Sequence, residues 1–403
     1  MSLSQSIAVG VFILGLTITQ VKWPPWTTTV LWITALYIVG TNIVDIKEAE
    51  RAFGGSALIT LATLMIASKV LVASPIYLTI CQKAQSLSLP ALTGLSLLLS
   101  SVLNNIPVYL AVAPILFSKK LPPWTFVHLS HACALGGLLT PLGTSSHFIA
   151  NDLLEDLGKD RLTLVDFVTY APLGVFLGFV GSFFLCSKLI TQGWPSETSP
   201  PESKDPELGL SKEEIGSKDQ PTPRSNWILP LLFLWIVFSF LQDILNVSQW
   251  FISGCLLAFI LIFGLVDRET PWDHFRAQTL AFTALPILIG FGVRESGLGG
   301  YILDGVEAIG YPWFTTSLAV LLLTQVMHNS IIISVFVPSL LDSSTSSLVA
   351  ATALGSLSLC LATGYPLNEL VLEKTQLPPR ALILPGLGVG LITFLGFFAL
   401  NTV

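Results

Sequence analysis

The chain has 403 residues, of which 52% are hydrophobic and 11% charged, and a mean hydropathy of +0.75. Soluble domains carry roughly 25% charged residues, so the composition excludes a soluble globular protein and predicts an all-α polytopic membrane protein. Much of the net charge of −6 comes from one acidic stretch, and no basic stripe is present, which excludes a nucleic-acid partner.

In chain order, the first predicted spans are 5–21 and 28–45. The N-terminal stretch has no positive n-region, so it reads as a span rather than a removed signal. Trp23-Pro24-Pro25-Trp26 precedes the second span as an interfacial turn with aromatic anchors. A polar loop, DIKEAERAF, leads to an apolar segment over 55–80 that carries Lys69. The segment 91–117 is interrupted at Asn104-Asn105-Ile106-Pro107. The segment 125–156 is interrupted at Thr140-Pro141-Leu142-Gly143-Thr144, and 165–190 closes this half. Residues 192–225 are rich in Pro, Ser, Glu and Lys without apolar periodicity, which predicts a disordered linker. The second half has spans at 227–245 and 249–266, the polar stretch DRETPWDHFR, then 277–296 carrying Arg294. Interrupted segments follow at 314–341 and 347–370, and a last span at 381–400.

The interruptions carry the chemistry. An amide is costly in hydrocarbon unless it finds a partner, and a proline frees the carbonyl one turn back. Such groups are tolerated at membrane depth only against protein or a watery cavity. The device is repeated. LSSVLNNIPVYLAVAPIL aligns with LLTQVMHNSIIISVFVPSL, which places Asn105 on Asn329 and Pro114 on Pro338, both offset by 224. ALGGLLTPLGT aligns with ALGSLSLCLAT, which places Gly136 on Gly355 and Thr144 on Thr363, both offset by 219. These offsets indicate an internal duplication, 1–191 and 226–403, joined by the linker.

If each half has three spans, a re-entrant hairpin, a broken helix and a final span, it crosses five times and the second half is inverted. Lys47, Arg51, Lys159 and Arg161 then share one side, Lys69 and Arg294 lie in or near spans, and the other thirteen of the 19 Lys and Arg share the opposite side. The positive-inside rule makes that crowded side cytoplasmic. The linker is then expected in the cytoplasm and both termini outside. Inverted repeats with broken helices are the signature of secondary transporters. Half-helix N-termini suit an anion, and freed carbonyls with amide oxygens suit a hard cation.

The paired motifs LNNIPVYLAVAPI with LLTPLGTSSH, and MHNSIIISVFVP with LATGYPLNE, resemble the ion transporter superfamily over essentially the whole chain. That group includes divalent anion/sodium symporters, arsenite-permease-like proteins and a sodium/proton antiporter branch. The Asn-Asn-Ile-Pro run is similar to the arsenite-permease-like and antiporter branches. The resemblance implies a first sodium site from Asn104, Asn105, Gly143 and Thr144, and a second from Asn329, Thr363 and Gly364. It implies that Asn105, Thr144, Ser145, Asn329, Ser330 and Thr363 face the substrate, a small inorganic or carboxylate anion. It further implies a sodium- or proton-coupled elevator mechanism and a homodimer, with no other cofactor.

Other signals weigh less. Cys81, Cys133, Cys186, Cys255 and Cys360 lie far apart in apolar segments, with neither metal-ligand spacing nor a disulfide framework. His128 and His131 have helical i, i+3 spacing but no acidic neighbour in sequence, which favours interfacial histidines over a metal site. His147 and His328 sit at the interruptions, where either a proton-linked role or simple hydrogen bonding fits. Arg294-Glu295 reads as a charged cap ending a span. No nucleophile has a base and an orienter, so an enzyme is the weakest of the function classes. A sodium/proton antiporter or a metalloid efflux permease on the same fold is the alternative to anion symport.

Overall fold

The computed structural model describes residues 3–22, 26–72, 74–191, 227–245, 247–265, 277–309, 312–341, 344–361 and 366–401. The linker at 192–225, the stretch DRETPWDHFR, the turn at 23–25, Thr363 and Gly364 lie outside the described residues. Among the described residues the secondary structure is helical, with no strand.

The first half contains α1 (Leu3–Lys22), α2 (Thr27–Gly40), α3 (Ile46–Gly54), α4 (Ser56–Val72), α5 (Pro75–Ala84), α6 (Leu89–Leu103), α7 (Asn105–Ser118), α8 (Trp124–Gly136), α9 (Ser145–Asp156), α10 (Leu164–Tyr170) and α11 (Pro172–Leu185). A π turn, Cys186–Ile190, extends α11. The second half contains α12 (Ile228–Phe240), α13 (Gln242–Leu245), α14 (Gln249–Ile262), α15 (Ala277–Glu295), α16 (Leu298–Glu307), α17 (Pro312–Thr324), α18 (Asn329–Ser339), α19 (Thr345–Gly355), α20 (Pro366–Thr375) and α21 (Ile383–Asn401).

All four predicted interruptions separate two helices: α6 from α7, α8 from α9, α17 from α18, and α19 from α20. Their halves are therefore short. Among the described residues, only Pro172–Ile190 and Pro379–Ala399, at 19 and 21 residues, are helices long and apolar enough to cross a bilayer unaided. Two expectations are corrected. The apolar segment 55–80 is two helices, α4 and α5, divided ahead of Pro75, whose ring disfavours helix in the residue before it. The polar loop DIKEAERAF is helix α3, because the Asp45 carboxylate accepts the Glu48 N–H at 2.7 Å and caps its first turn. The stretch after Arg294 carries a further helix. It turns at Gly297, whose φ of +78° suits glycine, and re-enters helix as α16.

The ends of the two halves are pressed together: α11 packs along α21. Gly174, Gly178 and Gly181 line one side of the crossing, and Gly174 with Gly178 gives the small-xxx-small spacing that lets membrane helices approach. A Cβ on Gly174 would come 2.8 Å from the Thr393 carbonyl, and one on Gly396 would come 2.5 Å from Gly174 Cα. A second apolar cluster joins α4, α12 and α14 through Leu64, Ile66, Val70, Ile228, Leu232, Trp235 and Ile252.

Charged residues collect at two places. Arg294 closes α15 and holds Glu295 at 2.7 Å and Glu48 of α3 at 2.8 Å. Burial and the neighbouring Glu295 carboxylate push Glu48 above the ordinary carboxylate range, with Arg294 pulling it back. On the same α3, Arg51 pairs with Asp156 at the end of α9 at 3.5 Å. Elsewhere Lys119 Nζ donates to the Leu87 carbonyl at 2.6 Å. Gly174→Val is expected to lower the unfolding temperature of detergent-solubilised protein, with an overpacking penalty of about 1–3 kcal/mol. Gly300→Ala, where a Cβ meets nothing within 4 Å, is the matched control and should leave it unchanged.

Candidate functional site

The first interruption turns on Asn104. It lies between α6 and α7 at φ 71°, ψ 154°, a conformation that strains a residue with a Cβ. Its side chain is buried, and its Nδ2 has no hydrogen-bond partner among the described residues. Asn105 opens α7, and Pro107 falls in that helix's first turn, where no intrahelical donor is lost. The buried Asn105 amide is pinned from behind. Ser100 Oγ lies 2.8 Å from Asn105 Oδ1 and 2.7 Å from the Cys133 carbonyl of α8.

The second half contains the same arrangement 224 residues later. Thr324 Oγ1 lies 2.7 Å from Asn329 Oδ1 and 2.7 Å from the Gly355 carbonyl of α19. Asn329 Nδ2 also donates to the Ser356 carbonyl at 2.8 Å. His328 precedes α18 and its Nδ1 accepts the Ser330 N–H at 3.2 Å. Ser330 Oγ is buried without a hydrogen-bond partner among the described residues. In both halves a hydroxyl five residues before the asparagine ties the hairpin turn to the end of the next helix. The carbonyl used is that of Gly355, the last residue of α19, but that of Cys133, three residues before the end of α8. The sequence alignment of helix ends and the bonding therefore differ in register by about one turn.

The α8–α9 interruption is built from backbone pressed on backbone. A short 3-10 turn at Gly137–Leu139 follows α8, and the chain then becomes extended at Thr140 and Thr144. A Cβ on Gly137 would stand 2.3 Å from Asn105 Oδ1, and one on Gly143 would stand 2.4 Å from the Gly137 carbonyl. Glycine is required at both places by this close approach. The Thr140 hydroxyl donates to the Ser101 carbonyl, and the Leu142 N–H donates to Thr140 Oγ1 at 3.1 Å. His147 Nδ1 lies 2.8 Å from the Thr140 carbonyl, and its ring stacks on Phe167 at 4.5 Å. Thr144 is buried at the N-cap of α9 without a side-chain capping bond, and Ser145 is the first residue of that helix.

The segment after α19 is held differently, by two long amides. Gln325 Nε2 donates to the Leu321 and Leu357 carbonyls at 3.0 and 2.6 Å, and its Oε1 accepts the Leu359 N–H at 3.0 Å. Asn368 of α20 donates to the Ser358 and Leu361 carbonyls at 3.1 and 3.0 Å. Ser100, Thr324, Gln325, Gly137 and Asn368 are absent from the sequence-based site. The Ser100 and Thr324 pair shared the 224 offset and was open to detection. The amide clamps gave no signal in sequence.

The halves meet through these elements. α9 packs against α18 and α19, while α20 packs against α7 and α8. The helices that follow each second interruption thus cross over to the hairpin of the other half. Gly137 lies against both Asn105 and Gly143, which joins the two first-half breaks, and Asn329 and Ser330 open α18, which packs on the helix that Ser145 begins. Thr363 and Gly364 lie outside the described residues. His128 and His131 are not interfacial. Both are buried in α8, each with Nδ1 3.0 Å from Ser182 Oγ on α11.

The citrate transporter family matches residues 8–364, nearly the whole chain and both hairpins. The chain belongs to that family. It is an integral membrane protein, as its interrupted apolar helices require, and the match bears out the superfamily resemblance of the break motifs. The family's description names citrate, rather than the arsenite or sodium/proton exchange suggested by the Asn-Asn-Ile-Pro run. Among curated proteins, an uncharacterized transporter of Synechocystis sp. is 26% identical over 199 residues, covering 44% of this chain and 31% of that protein. The match thus spans about a third of that relative's length. Ser100→Ala and Thr324→Val each leave a buried asparagine oxygen without its hydroxyl. Each is expected to cost about 1–3 kcal/mol, read as a lower unfolding temperature, and an unchanged temperature in both would remove the two hydroxyls from the framework of the site.

Proposed function

We propose that the protein is a secondary transporter of a citrate-type carboxylate, coupled to sodium or protons, in which two inverted halves form one site at their interrupted helices. The crossed pairing of α9 with α18 and of α20 with α7 carries this reading. It draws the two hairpins, and the helices that follow the second breaks, into one region. There Asn105, Asn329, Thr144, Ser145 and Ser330 offer amides, hydroxyls and helix N-termini.

The coupling follows from charge. Neither interruption in either half contains Lys or Arg: the stretches read LNNIP, TPLGTS, QVMHNS and SLCLATGY. A carboxylate there meets only dipoles and hydroxyls, so a bound cation must supply the countercharge. Freed carbonyls and amide oxygens at Asn104, Asn105, Gly143 and Thr144 suit sodium in the first half, and Asn329, Thr363 and Gly364 suit it in the second. The anion binds weakly until the cation is present, and linkage makes the effect mutual, about 5–150-fold in affinity. The halves move as an elevator against a scaffold, in a homodimer.

The charge grouping supports the orientation with the linker in the cytoplasm and both termini outside. The Arg51–Asp156 pair joins segments assigned to the outer side, and Lys119 with Leu87 joins segments assigned to the inner one. Labelling of a cysteine at Ser211 should report the cytoplasm, and at Ser2 the outside. In proteoliposomes, wild type should take up labelled citrate ahead of succinate, sulfate, phosphate and arsenite, driven by a sodium or proton gradient. Asn105→Ala and Asn329→Ala should each abolish that uptake while keeping a folded, monodisperse protein. Uptake near wild type in both variants would overturn the site. Citrate affinity that is flat across sodium concentration and across pH would leave an uncoupled carrier.

A further inference from the structure

The short helix α3 (Ile46–Gly54) is held to the rest of the molecule mostly by charge. Ala52 is its one buried residue, Ala49 is half-buried, and Ile46 and Phe53 are exposed. Phe53 stacks on Trp32 of α2 with ring centroids 6.4 Å apart. The chain enters α3 past Asn42, in the left-handed region at φ 54°, and leaves it through Gly54-Gly55. An element with so little apolar burial and a turn at each end belongs to the low-stability part of a fold. Its polar contacts therefore decide whether it stays docked.

The main contact is a trio of charges. Arg294 at the end of α15 donates from Nη2 to Glu48 Oε1 at 2.8 Å and from Nε to Glu295 Oε1 at 2.7 Å. Two carboxylates thus share one guanidinium, and with both ionised the half-buried trio keeps a net negative charge. A proton on Glu48 makes it neutral. Asp45 and Arg51 also face Glu48, whereas Lys47 and Glu50 are exposed. α2 contains no charged residue, and α4 has none in its first three turns. Burial and then the Glu295 carboxylate raise the affinity of Glu48 for a proton above that of an ordinary carboxylate, and Arg294 offsets only part of this.

We propose that α3 is an acid-closed strap: the proton that neutralises Glu48 fastens α3 onto the end of α15, and the docked α3 holds Arg51 where it meets Asp156 of α9. Released, α3 leaves Glu48 in water, where it ionises like any exposed carboxylate. The docked state thus binds the proton more readily, and by linkage the proton favours the docked state. Rising pH charges Glu48 beside Glu295 and loosens the strap, and falling pH tightens it. Arg51 and Asp156 lie 3.5 Å apart and are both exposed, so this second contact is weak and follows the first. α15 belongs to the second half and α9 follows the first-half break, so closure restrains the two halves against each other. The strap does not depend on what the site between them carries.

The experiment is hydrogen exchange of the detergent-solubilised full chain, read by mass spectrometry and corrected for the intrinsic pH dependence of exchange. From about pH 8 to about pH 5, protection over 46–54 is expected to rise several-fold in wild type, with a smaller rise in the last turn of α9. Glu48→Gln, which makes the neutral side chain permanent, should be protected at both pH values. Arg294→Gln should lose protection at the higher pH and regain it at the lower. Glu50→Gln, at an exposed carboxylate of the same helix, should keep the wild-type profile. Corrected protection that is flat or falls on acidification in wild type would overturn the strap, and so would a wild-type response in Glu48→Gln. A response in α3 with none in α9 would overturn the tie to the broken helix. The readout is exchange rather than uptake, so it stands whether or not the protein carries citrate.

Discussion

A buried asparagine oxygen held by a hydroxyl is the contact on which the rest of this molecule depends. A helix cannot stop inside a bilayer unless the groups it frees find partners. Asn105 and Asn329 sit where two helices stop, and each is anchored to a hydroxyl that also reaches a carbonyl of the next helix. One interaction therefore does two things. It satisfies the amide, and it ties the hairpin turn to the second interrupted segment. Without it, the groups freed where the two short helices stop would lie unpartnered at membrane depth.

Much of this architecture was legible from residues. The places of the four interruptions, the pairing of Asn105 with Asn329, and the charged cap at Arg294 follow from proline, amide and charge positions in otherwise apolar sequence. Apolar periodicity does not distinguish one long span from two short helices, which is why 55–80 was read as continuous. The Asp45 capping signal of α3 was present but was masked by its polar composition. The partners of the breaks were not legible. Gln325 and Asn368 hold backbone far away in sequence, and a polar side chain in an apolar helix does not say which carbonyl it meets. The histidine pair was misplaced for the same reason. His128 and His131 border a loop in sequence, yet their helix is buried on all sides, and both rings turn to Ser182.

The two halves keep the same logic with different materials. In the first, the extended segment is fixed by contact of Gly137 with Gly143 and by Thr140, which bonds the Ser101 carbonyl. These are short-range contacts with almost no adjustable torsion. In the second, Gln325 and Asn368 span the equivalent gap with side chains that have several rotatable bonds. Backbone-to-backbone packing resists displacement because any shift produces overlap. An amide clamp can follow a moving segment by changing rotamer while keeping its bonds.

This difference bears on where motion enters an otherwise paired structure. In the proposed transporter a composite site needs two similar walls, but nothing requires them to be equally stiff. The first-half wall is crowded by glycines that admit no side chain and is backed by His147 stacked on Phe167. Among the described residues, the second-half wall has buried hydroxyls without a hydrogen-bond partner at Ser330, Ser334, Thr352 and Ser358, and the first-half wall has Asn104 Nδ2 and His147 Nε2 in the same state. Buried polar groups without partners are destabilising as they stand, so both walls gain from a bound polar ligand. A ligand shifts an equilibrium only by the difference in its affinity for the two states. The wall with adjustable clamps is where that difference can be largest, and the wall packed glycine on glycine provides the fixed reference against which it acts.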